Sequence, residues 1–587
     1  MSNPIYSGFI PGPGGALHLT VFTPPTGVAA NRWVLHAPAF AEEMNKCRPM
    51  VSRQARALAA DGAVVVVPDL SGTGDSAGEF CDADWPRWVT DIRAVHQWCL
   101  GQGAGSVLLW GVRLGCLLAI ESLAELPDDS VSGLLLWQPV LSGAVHLNQF
   151  LRLRTAASMM QGASESVADL RAQLDGGQVL EVAGYALSPD LYGSVAHAAT
   201  DKLPLPPGCP LAVLEVVAEA GKALLPVTAK QVDAWSIEHP DCSAATVQGS
   251  PFWMTQEIGF ANALLVEGCR FVDRLPATST AAFNPAALTH YTQDAQVVEG
   301  LVFDCAGSEL VGQLHRPRAN ESQGAYSDAG VIIVVGGPQY RVGSHRQFQQ
   351  LASALADAGV PVLRFDYRGM GDSGGELAGF TGIGEDIRSA VDTLQRDCPD
   401  VKRIVLWGLC DAATAGVFYA GKDSRVTGLV LANPWVYSER GEAQAFLKHY
   451  YLRRLFSGDL WRKLLRGNFD IPGSAASLWS FVRNALGARG DAGSDLDTRP
   501  DEEHEDLVGG FTAGLERFSG DVLLITSGND LTAAQFTDAV ASNVSLRNRL
   551  EAPGVQSLVL PEADHTFSRA AWKQRVEEAT VEFVRGR

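Results

Sequence analysis

The hydrophobic pattern of this 587-residue chain alternates between short, continuous apolar runs and longer segments with helical spacing. The runs 64–67 and 331–335 contain only valine and isoleucine, which is typical of parallel strands buried on both faces. The segment 348–355 repeats its apolar residues every three or four positions, as an amphipathic helix does. Because strands and helices alternate along the chain, the pattern predicts an α/β protein built from doubly wound, mostly parallel sheets.

The same pattern occurs twice, and the two copies share short motifs. The segment 69–76 (DLSGTGDS) corresponds to 366–373 (DYRGMGDS), so that Asp366 lies 297 positions after Asp69. A repeat of this length predicts the duplication of a whole domain rather than a short-period solenoid. We therefore expect two tandem domains, 1–290 and 291–587, each with a helical cap inserted after its sixth strand.

In the second copy, the cap is predicted at about 436–518. Its segments 446–455 and 461–466 are basic and amphipathic, whereas 491–506 is acidic and poor in apolar residues, which predicts a mobile loop. The basic part allows three interpretations: the solvated face of a packed helix, a docking surface for an acidic partner such as a carrier protein, or a membrane-associated surface.

Composition and charge exclude several classes of protein. With 46% hydrophobic and 19% charged residues the chain is typical of a globular enzyme, and its formal charge of -20 excludes the basic surface that nucleic acids require. The chain begins without a secretory signal pattern, and no apolar run approaches the ~18 residues of a membrane helix. Ten cysteines without CxxC pairs or zinc spacing indicate reduced thiols. We expect a cytoplasmic protein without a metal or other cofactor.

Candidate chemistry lies where a strand turns sharply into a helix. The second copy reads WGLCDA over 407–412, and the first reads WGVRLG over 110–115. Small residues two positions before and after the central one allow the tight elbow that carries the nucleophile of α/β-hydrolases. Cys410 holds that position in the second copy, at a helix N-terminus that favours a thiolate. Arg113 holds it in the first, and a guanidinium is not a nucleophile.

Two partners for Cys410 follow in the order nucleophile, acid, histidine that α/β-hydrolases use. Asp530 comes just after an apolar strand, and His565 comes just after the next strand. His565 would take the thiol proton and return it to the leaving group, while Asp530 would orient the imidazole. Two alternatives stay open: Asp530 could only cap the following helix, and Asp564 competes for the role of the acid.

The loop 336–346, which follows the strand 331–335, is predicted to complete this catalytic site. An oxyanion hole would combine the backbone N–H of Asp411 with one from the loop, and because Pro338 has no N–H, Gln339 is the candidate donor. The predicted substrate contacts in the loop, where the basic residues would meet an anionic group, are Tyr340, Arg341, His345 and Arg346. An ordinary solvated loop is the alternative.

The first copy lacks the rest of this machinery. The region that corresponds to His565 reads QGSPFWM over 248–254 and contains no histidine. Ser250 in this segment has neither an elbow nor a base, and Glu219, near the acid position, has no base to orient. The first domain is therefore expected to lack a catalytic triad.

Arg113 at the first elbow is a further predicted substrate contact, because its fork of donors suits a carboxylate or phosphate. The alternative is an internal ion pair with Glu42, Glu43 or Asp69. His36 and Arg48 could join either arrangement.

These motifs carry a resemblance to two related families. The second half resembles the exosortase A system-associated hydrolase 1 family in 334–346 (VVGGPQYRVGSHR), 366–373 and 408–412 (GLCDA). The first half resembles the hydrolase 2 family of the same system in 36–46 (HAPAFAEEMNK), 111–115 and 251–253. The chain therefore looks like a fusion of the two, over nearly its whole length.

The resemblance implies a role in bacterial exopolysaccharide and surface-protein export systems, whose loci also encode an acyl-CoA ligase and an acyl carrier protein. Similar dienelactone hydrolases also use a cysteine nucleophile, which implies hydrolysis of a carboxylic ester or thioester, with acyl transfer as a close competitor. The expected substrate is a small-molecule or carrier-bound acyl group, and an acyl carrier protein is the expected partner. The alternative from another class is a non-catalytic scaffold that docks such a partner.

Overall fold

The computed structural model describes residues 4–586 apart from 26–27, 161–163, 201–204, 207, 256–257, 294, 319–326 and 437–506. Most of the predicted cap at 436–518, with its basic segments 446–455 and 461–466 and its acidic segment 491–506, lies outside the described residues. Among the helices in the described part, none combines the length and apolarity needed to cross a membrane.

The first half forms an eight-stranded sheet and a separate two-stranded hairpin. Its strands are β1 (Ile5–Gly12), β2 (Gly15–Phe22), β3 (Arg32–Ala37), β4 (Ala63–Pro68), β5 (Val107–Val112), β6 (Val131–Trp137), β7 (Leu180–Val182), β8 (Tyr185–Leu187), β9 (Leu211–Val217) and β10 (Cys242–Gln248). Its α-helices are α1 (Glu42–Ala60), α2 (Trp85–Gly101), α3 (Gly115–Leu123), α4 (Gly143–Met160), α5 (Val167–Asp175), α6 (Pro189–His197), α7 (Pro226–Glu238) and α8 (Asn262–Arg274).

The second half forms a nine-stranded sheet. Its strands are β11 (Tyr291–Gln293), β12 (Gln296–Cys305), β13 (Ser308–Pro317), β14 (Ala329–Val334), β15 (Val362–Phe365), β16 (Arg403–Leu409), β17 (Val426–Ala432), β18 (Asp521–Ser527) and β19 (Val555–Leu560). Its described α-helices are α9 (Gln347–Asp357), α10 (Gly384–Asp397), α11 (Asp411–Ala420), α12 (Leu507–Arg517), α13 (Leu531–Ser542), α14 (Val544–Leu550) and α15 (Ala570–Arg585).

The two sheets have the same topology. The first runs β1-β2-β4-β3-β5-β6-β9-β10, and the second runs β12-β13-β15-β14-β16-β17-β18-β19 with β11 added at one edge. In each, the second strand pairs antiparallel with its inner neighbour, and the strands beyond it are parallel. The prediction of two tandem, doubly wound α/β domains is confirmed. In the first, the cap insertion after β6 contains α4 to α6 and the β7–β8 hairpin.

The continuous apolar runs are explained by the two cores of each sheet. Val64 and Val66 face one core of the first sheet, while Val65 and Val67 face the other. Successive side chains of a strand point to opposite faces, so a strand covered by helices on both sides must be apolar at every position.

A buried group of ion pairs joins the two domains. Arg48 pairs with Asp69 of its own domain at 2.9 Å and with Asp372 of the other domain at 2.7 Å. Arg341 of the second domain reaches back to Asp75 of the first at 2.8 Å. Asp75 and Asp372 lie 297 positions apart, so they are equivalent in the repeat. Each domain therefore offers the same aspartate of the repeat to an arginine of the other domain.

We call Arg48, Asp69, Asp75, Arg341, Arg364, Asp366 and Asp372 the interdomain charge cluster. All seven side chains are at most 5% exposed. Burial would raise the pKa of Asp75, but the charges of Arg364 and Arg341 outweigh it and hold that pKa below its usual range. His18 joins Asp69 and Asp75 within 4.8 Å, a spacing that could suit a cation. Both aspartates of this group already pair with arginines, Asp69 with Arg48 and Asp75 with Arg341 and Arg364.

Candidate active site

Cys410 lies on a sharp turn between β16 and α11. Its backbone has φ 62° and ψ -125°, and its N–H donates to the carbonyl of Ala432 at 2.9 Å. A Cβ atom on Gly408 would lie 2.6 Å from the backbone of Ala412, so the turn requires glycine there. A non-glycine residue in the left-handed region costs about 1–3 kcal/mol, a strain that is concentrated at functional sites such as the nucleophile elbow.

His565 bridges the acid and the cysteine. Its Nδ1 lies 2.9 Å from Oδ2 of Asp530, and Cys410 lies close enough to the ring to raise its pKa. The three side chains come from the elbow after β16, the loop after β18 and the loop after β19, at the carboxyl ends of parallel strands. Asp530 is 8% exposed and His565 is 34% exposed, so the acid is buried behind a histidine that reaches the surface.

The two alternatives for the acid are distinguished by geometry. Asp530 does cap α13, because its carboxylate accepts from the N–H groups of Thr532 and Ala533, but it contacts His565 at the same time. The carboxylate of Asp564 instead accepts from the N–H and the hydroxyl of Ser568. The structure therefore places Asp530, and not Asp564, against the imidazole.

The surroundings of His565 favour its protonated form. Burial disfavours the imidazolium, but the hydrogen bonds and charges of Asp530 and Cys410 outweigh burial and raise the pKa of His565 to about 10. At neutral pH the ring therefore holds a proton that it can give to a leaving group.

Asn433 supports the histidine loop, and the sequence prediction missed it. Its side-chain amide donates to the carbonyl of His565 at 2.9 Å, and its oxygen accepts from the N–H of Ser527 at 2.8 Å. Gln138 has the same position in the first domain, with φ 46° against 41° for Asn433, and accepts from the N–H of Val216. The repeated pairs Gln138-Pro139 and Asn433-Pro434 were the available signal.

The carboxylate of Asp411 occupies the region where an oxyanion hole is expected. It accepts from Gly337 N–H at 3.0 Å and from Ala412 N–H at 2.9 Å. Burial raises the pKa of Asp411 despite these donors. The loop N–H that bonds to the elbow is that of Gly337, which can approach because Gly336 has no side chain. Gln339 as the oxyanion donor stays a prediction, and its side-chain amide contacts Glu42 and Asn45.

The predictions of Tyr340 and Arg341 as substrate contacts are wrong. Both side chains are fully buried, and Arg341 bonds to Asp75, Asp366 and Asp372 within the interdomain charge cluster. The ring of Tyr340 lies 5.0 Å from the guanidinium of Arg48. These two residues contact the first domain and contribute to the domain interface, and they do not face the Cys410 site.

His345 and Arg346 are also buried and already have partners, so the prediction that they meet an anionic substrate is wrong. Burial lowers the pKa of His345 to about 3, which leaves it neutral, and its Nε2 lies 3.2 Å from the carbonyl of Thr566. The guanidinium of Arg346 donates to three carbonyls of the first domain, those of Gly74, Ser76 and Gly78.

The elbow of the first domain has the geometry of the second without its chemistry. Arg113 has φ 56°, and its N–H donates to the carbonyl of Trp137, as Cys410 donates to Ala432. Its guanidinium pairs with Glu43 at 3.0 Å and lies 5.3 Å from the ring of Trp253. The internal pair, and not a substrate anion, satisfies this cation, so the predicted substrate contact is corrected.

His36 and Arg48 take no part in that pair. His36 hydrogen bonds with the carbonyl of Trp110, and burial lowers its pKa to about 3. Arg48 belongs to the interdomain charge cluster.

The strand order and the Cys410 elbow define an α/β-hydrolase fold. Residues 328–465, less than half of the chain, match the family model described as Serine aminopeptidase, S33. This segment begins beside β14 and includes the Cys410 elbow. No curated protein has a sequence that matches this chain.

Solved structures of this fold each match about half of the chain. Esterase Pf2001 of Pyrococcus furiosus is 18% identical, with 49% of this chain and 90% of that chain covered and a TM-score of 0.33. An alpha-beta serine hydrolase homologue from Coxiella burnetii is 17% identical, with 50% and 98% covered and a TM-score of 0.30. An a/b serine hydrolase without lid from Xanthomonas campestris is 15% identical, with 49% and 94% covered and a TM-score of 0.29. Likenesses this distant carry no argument about activity.

Proposed function

We propose that the C-terminal domain cleaves a carboxylic ester or thioester through an acyl-enzyme on Cys410. The observation that carries this proposal is that His565 bonds to Asp530 and that its pKa is raised both by Asp530 and by Cys410, which lies on a strained elbow. The family match over 328–465 supports hydrolase chemistry, although the name of that family refers to serine and this elbow holds cysteine.

In the first half-reaction, the sulfur of Cys410 attacks the carbonyl carbon of the substrate. A C–S bond forms, and the carbonyl π electrons move onto oxygen, where the N–H groups of Asp411 and Gly337 would stabilise the charge. When the intermediate collapses, the bond to the leaving group breaks. His565 then gives its proton to the departing alcohol or thiol.

In the second half-reaction, the neutral His565 takes a proton from water while the water oxygen attacks the acyl carbon. The C–S bond breaks, and Cys410 leaves as a thiolate beside the restored imidazolium. Asp530 orients the ring in both steps. An alcohol or amine in place of water would yield a new ester or amide, so hydrolysis and acyl transfer differ only in the acceptor.

The further parts of this proposal rest on the sequence resemblance. It supports a small-molecule or carrier-bound acyl substrate, an acyl carrier protein as partner, and a setting in exopolysaccharide and surface-protein export. The N-terminal domain is proposed to be non-catalytic, because Arg113 stands in place of a nucleophile and pairs with Glu43.

A pH–rate profile tests the proposed roles of His565 and Asp530. For an alkyl ester with a poor leaving group, kcat/KM should fall as the pH rises through about 10, where His565 loses its proton. Asp530→Asn removes the charge that raises this pKa, so the alkaline fall should move toward the ordinary histidine value of ~6.5. An alkaline fall at the same pH in both proteins would contradict these roles, and no ester or thioester turnover at all would favour the scaffold alternative.

Asp411→Ala should increase kcat. The Asp411 carboxylate engages the Gly337 N–H, one of the two donors that the substrate oxyanion would use. Because one oxyanion donor is worth about 10²–10³ in kcat, relief of this competition should yield a rise of about three- to tenfold at pH 8. Asp411→Asn, whose amide oxygen still accepts, is the matched control and should increase kcat less. The measurement is kcat of the wild-type protein and both variants with one thioester. A fall in kcat for Asp411→Ala would show that the carboxyl group assists the reaction.

A further inference from the structure

Glu42 of the N-terminal domain lies inside the 336–346 loop of the C-terminal domain. Its carboxylate accepts from Nε2 of Gln339 at 2.8 Å. Burial raises the pKa of Glu42, and the Gln339 amide and the nearby backbone of His345 oppose this rise. On its own side it accepts from the hydroxyl of Tyr185 and the amide of Asn45, both at 3.2 Å. Three donors therefore converge on one carboxylate, and one of them belongs to the loop that borders the Cys410 elbow.

The conformation that Glu42 supports is strained. His345 and Arg346 have φ of 42° and 64°, and neither is a glycine. Consecutive left-handed residues persist only where surrounding contacts impose them. Many of these contacts come from the N-terminal domain. Besides Glu42, they include Gly184, where a Cβ atom would lie 2.2 Å from the imidazole of His345.

His345 connects the 336–346 loop to the segment that carries the catalytic histidine. Its imidazole is neutral, and its Nε2 donates to the carbonyl of Thr566, the residue that follows His565. The β7–β8 hairpin of the N-terminal domain contacts the next helix as well. Glu181 accepts from the N–H of Ala570 at 2.9 Å, at the start of α15. The histidine loop is thus held between the N-terminal domain and its own sheet.

We propose that Glu42 is a positioning residue for the Cys410 site, so that the N-terminal domain acts as a built-in activator of the C-terminal one. Glu42 holds the loop that contains His345, and His345 in turn contacts Thr566, the neighbour of His565. This inference rests on the proposed function, since it takes His565 as the acid–base group. This role would give the N-terminal domain a function even though its own elbow holds Arg113 in place of a nucleophile.

The test compares Glu42→Gln with the matched control Glu43→Gln. Glu43 is the next residue of the same helical turn, but it pairs with Arg113 inside the N-terminal domain. With p-nitrophenyl acetate, Glu42→Gln should lower kcat by about tenfold or more, with KM changed less than about threefold, because a small displacement of a catalytic group is costly. Alkylation of Cys410 by iodoacetamide should slow by a similar factor. Glu43→Gln should change both rates less than about twofold.

Turnover and alkylation together distinguish a failure of the positioning role from a failure of the proposed function. Equal kcat and equal Cys410 alkylation in the two variants would overturn the positioning role. If neither the wild-type protein nor Cys410→Ala turns over any ester or thioester, the proposed function fails. The alkylation rate then still decides: slower labelling in Glu42→Gln supports positioning, and unchanged labelling overturns it. If Glu42→Gln does not fold, Tyr185→Phe removes one donor to Glu42, and a loss of about two- to fivefold in both readouts is expected.

Discussion

Cys410→Ala should lower kcat/KM for esters and thioesters by at least about 10³-fold, because it removes the atom that forms the acyl-enzyme. The elbow itself should be unaffected, since the sharp turn depends on Gly408 and on the backbone hydrogen bond from residue 410 to Ala432. The matched control is Cys398→Ala. Cys398 is another half-buried free thiol of the same domain, and its removal should leave kcat/KM within about twofold.

These two variants separate a specific nucleophile from general thiol reactivity. Steady-state kinetics on an ester and a thioester is the measurement, with circular dichroism to show that both variants are folded. Full activity of Cys410→Ala would refute the acyl-cysteine mechanism and would leave His565 and Asp530 as a structural pair. Equal losses in both variants would indicate damage to the fold instead.

Arg341→Met should destabilise the protein by about 3–5 kcal/mol, the usual cost of removing one member of a buried ion pair. Its guanidinium is fully buried and bonds to Asp75 across the domain interface and to Asp366 and Asp372 in its own domain. Methionine fills much of the volume but leaves Asp366 without its arginine, while Asp75 and Asp372 each keep only one, Arg364 and Arg48. The free energy of unfolding, from chemical denaturation of the full chain, is the measurement.

The control for this prediction is Arg396→Met. Arg396 pairs with Asp397 on the surface, and its side chain is 62% exposed, so its removal should cost less than about 1 kcal/mol. Because buried pairs are weakly screened, the loss in Arg341→Met should persist at 0.5 M salt, which is about the strength at which surface pairs fade. A loss as small as that of Arg396→Met would show that the interdomain charge cluster does not hold the domains together.

The features that could be predicted from sequence depend on local rules. The buried parallel strands follow from the valine and isoleucine runs, and the elbows follow from small residues around Arg113 and Cys410. The order Cys410, Asp530, His565 predicted which loops would meet, since the carboxyl ends of parallel strands lie at one edge of a sheet. The structure brings these three side chains together.

The loop 336–346 shows what could not be predicted. Its basic residues follow a strand and precede a helix, where substrate contacts are expected, yet Arg341 and Arg346 bond to the other domain. Their partners in the first domain lie more than 260 positions away in sequence, and only the packing of one copy against the other reveals them. Arg113 differs, because its pair with Glu43 was one of the stated alternatives.

Mass spectrometry of the trapped acyl-enzyme is the direct test for an acyl group on Cys410. The intact protein would be mixed with p-nitrophenyl acetate, quenched in acid within seconds and digested for peptide mapping. From the acyl-cysteine mechanism we expect one acetyl group on the peptide that contains Cys410, no adduct in Cys410→Ala, and slower deacylation in His565→Gln. An acetyl group distributed over several cysteines, or hydrolysis without any adduct on Cys410, would contradict it.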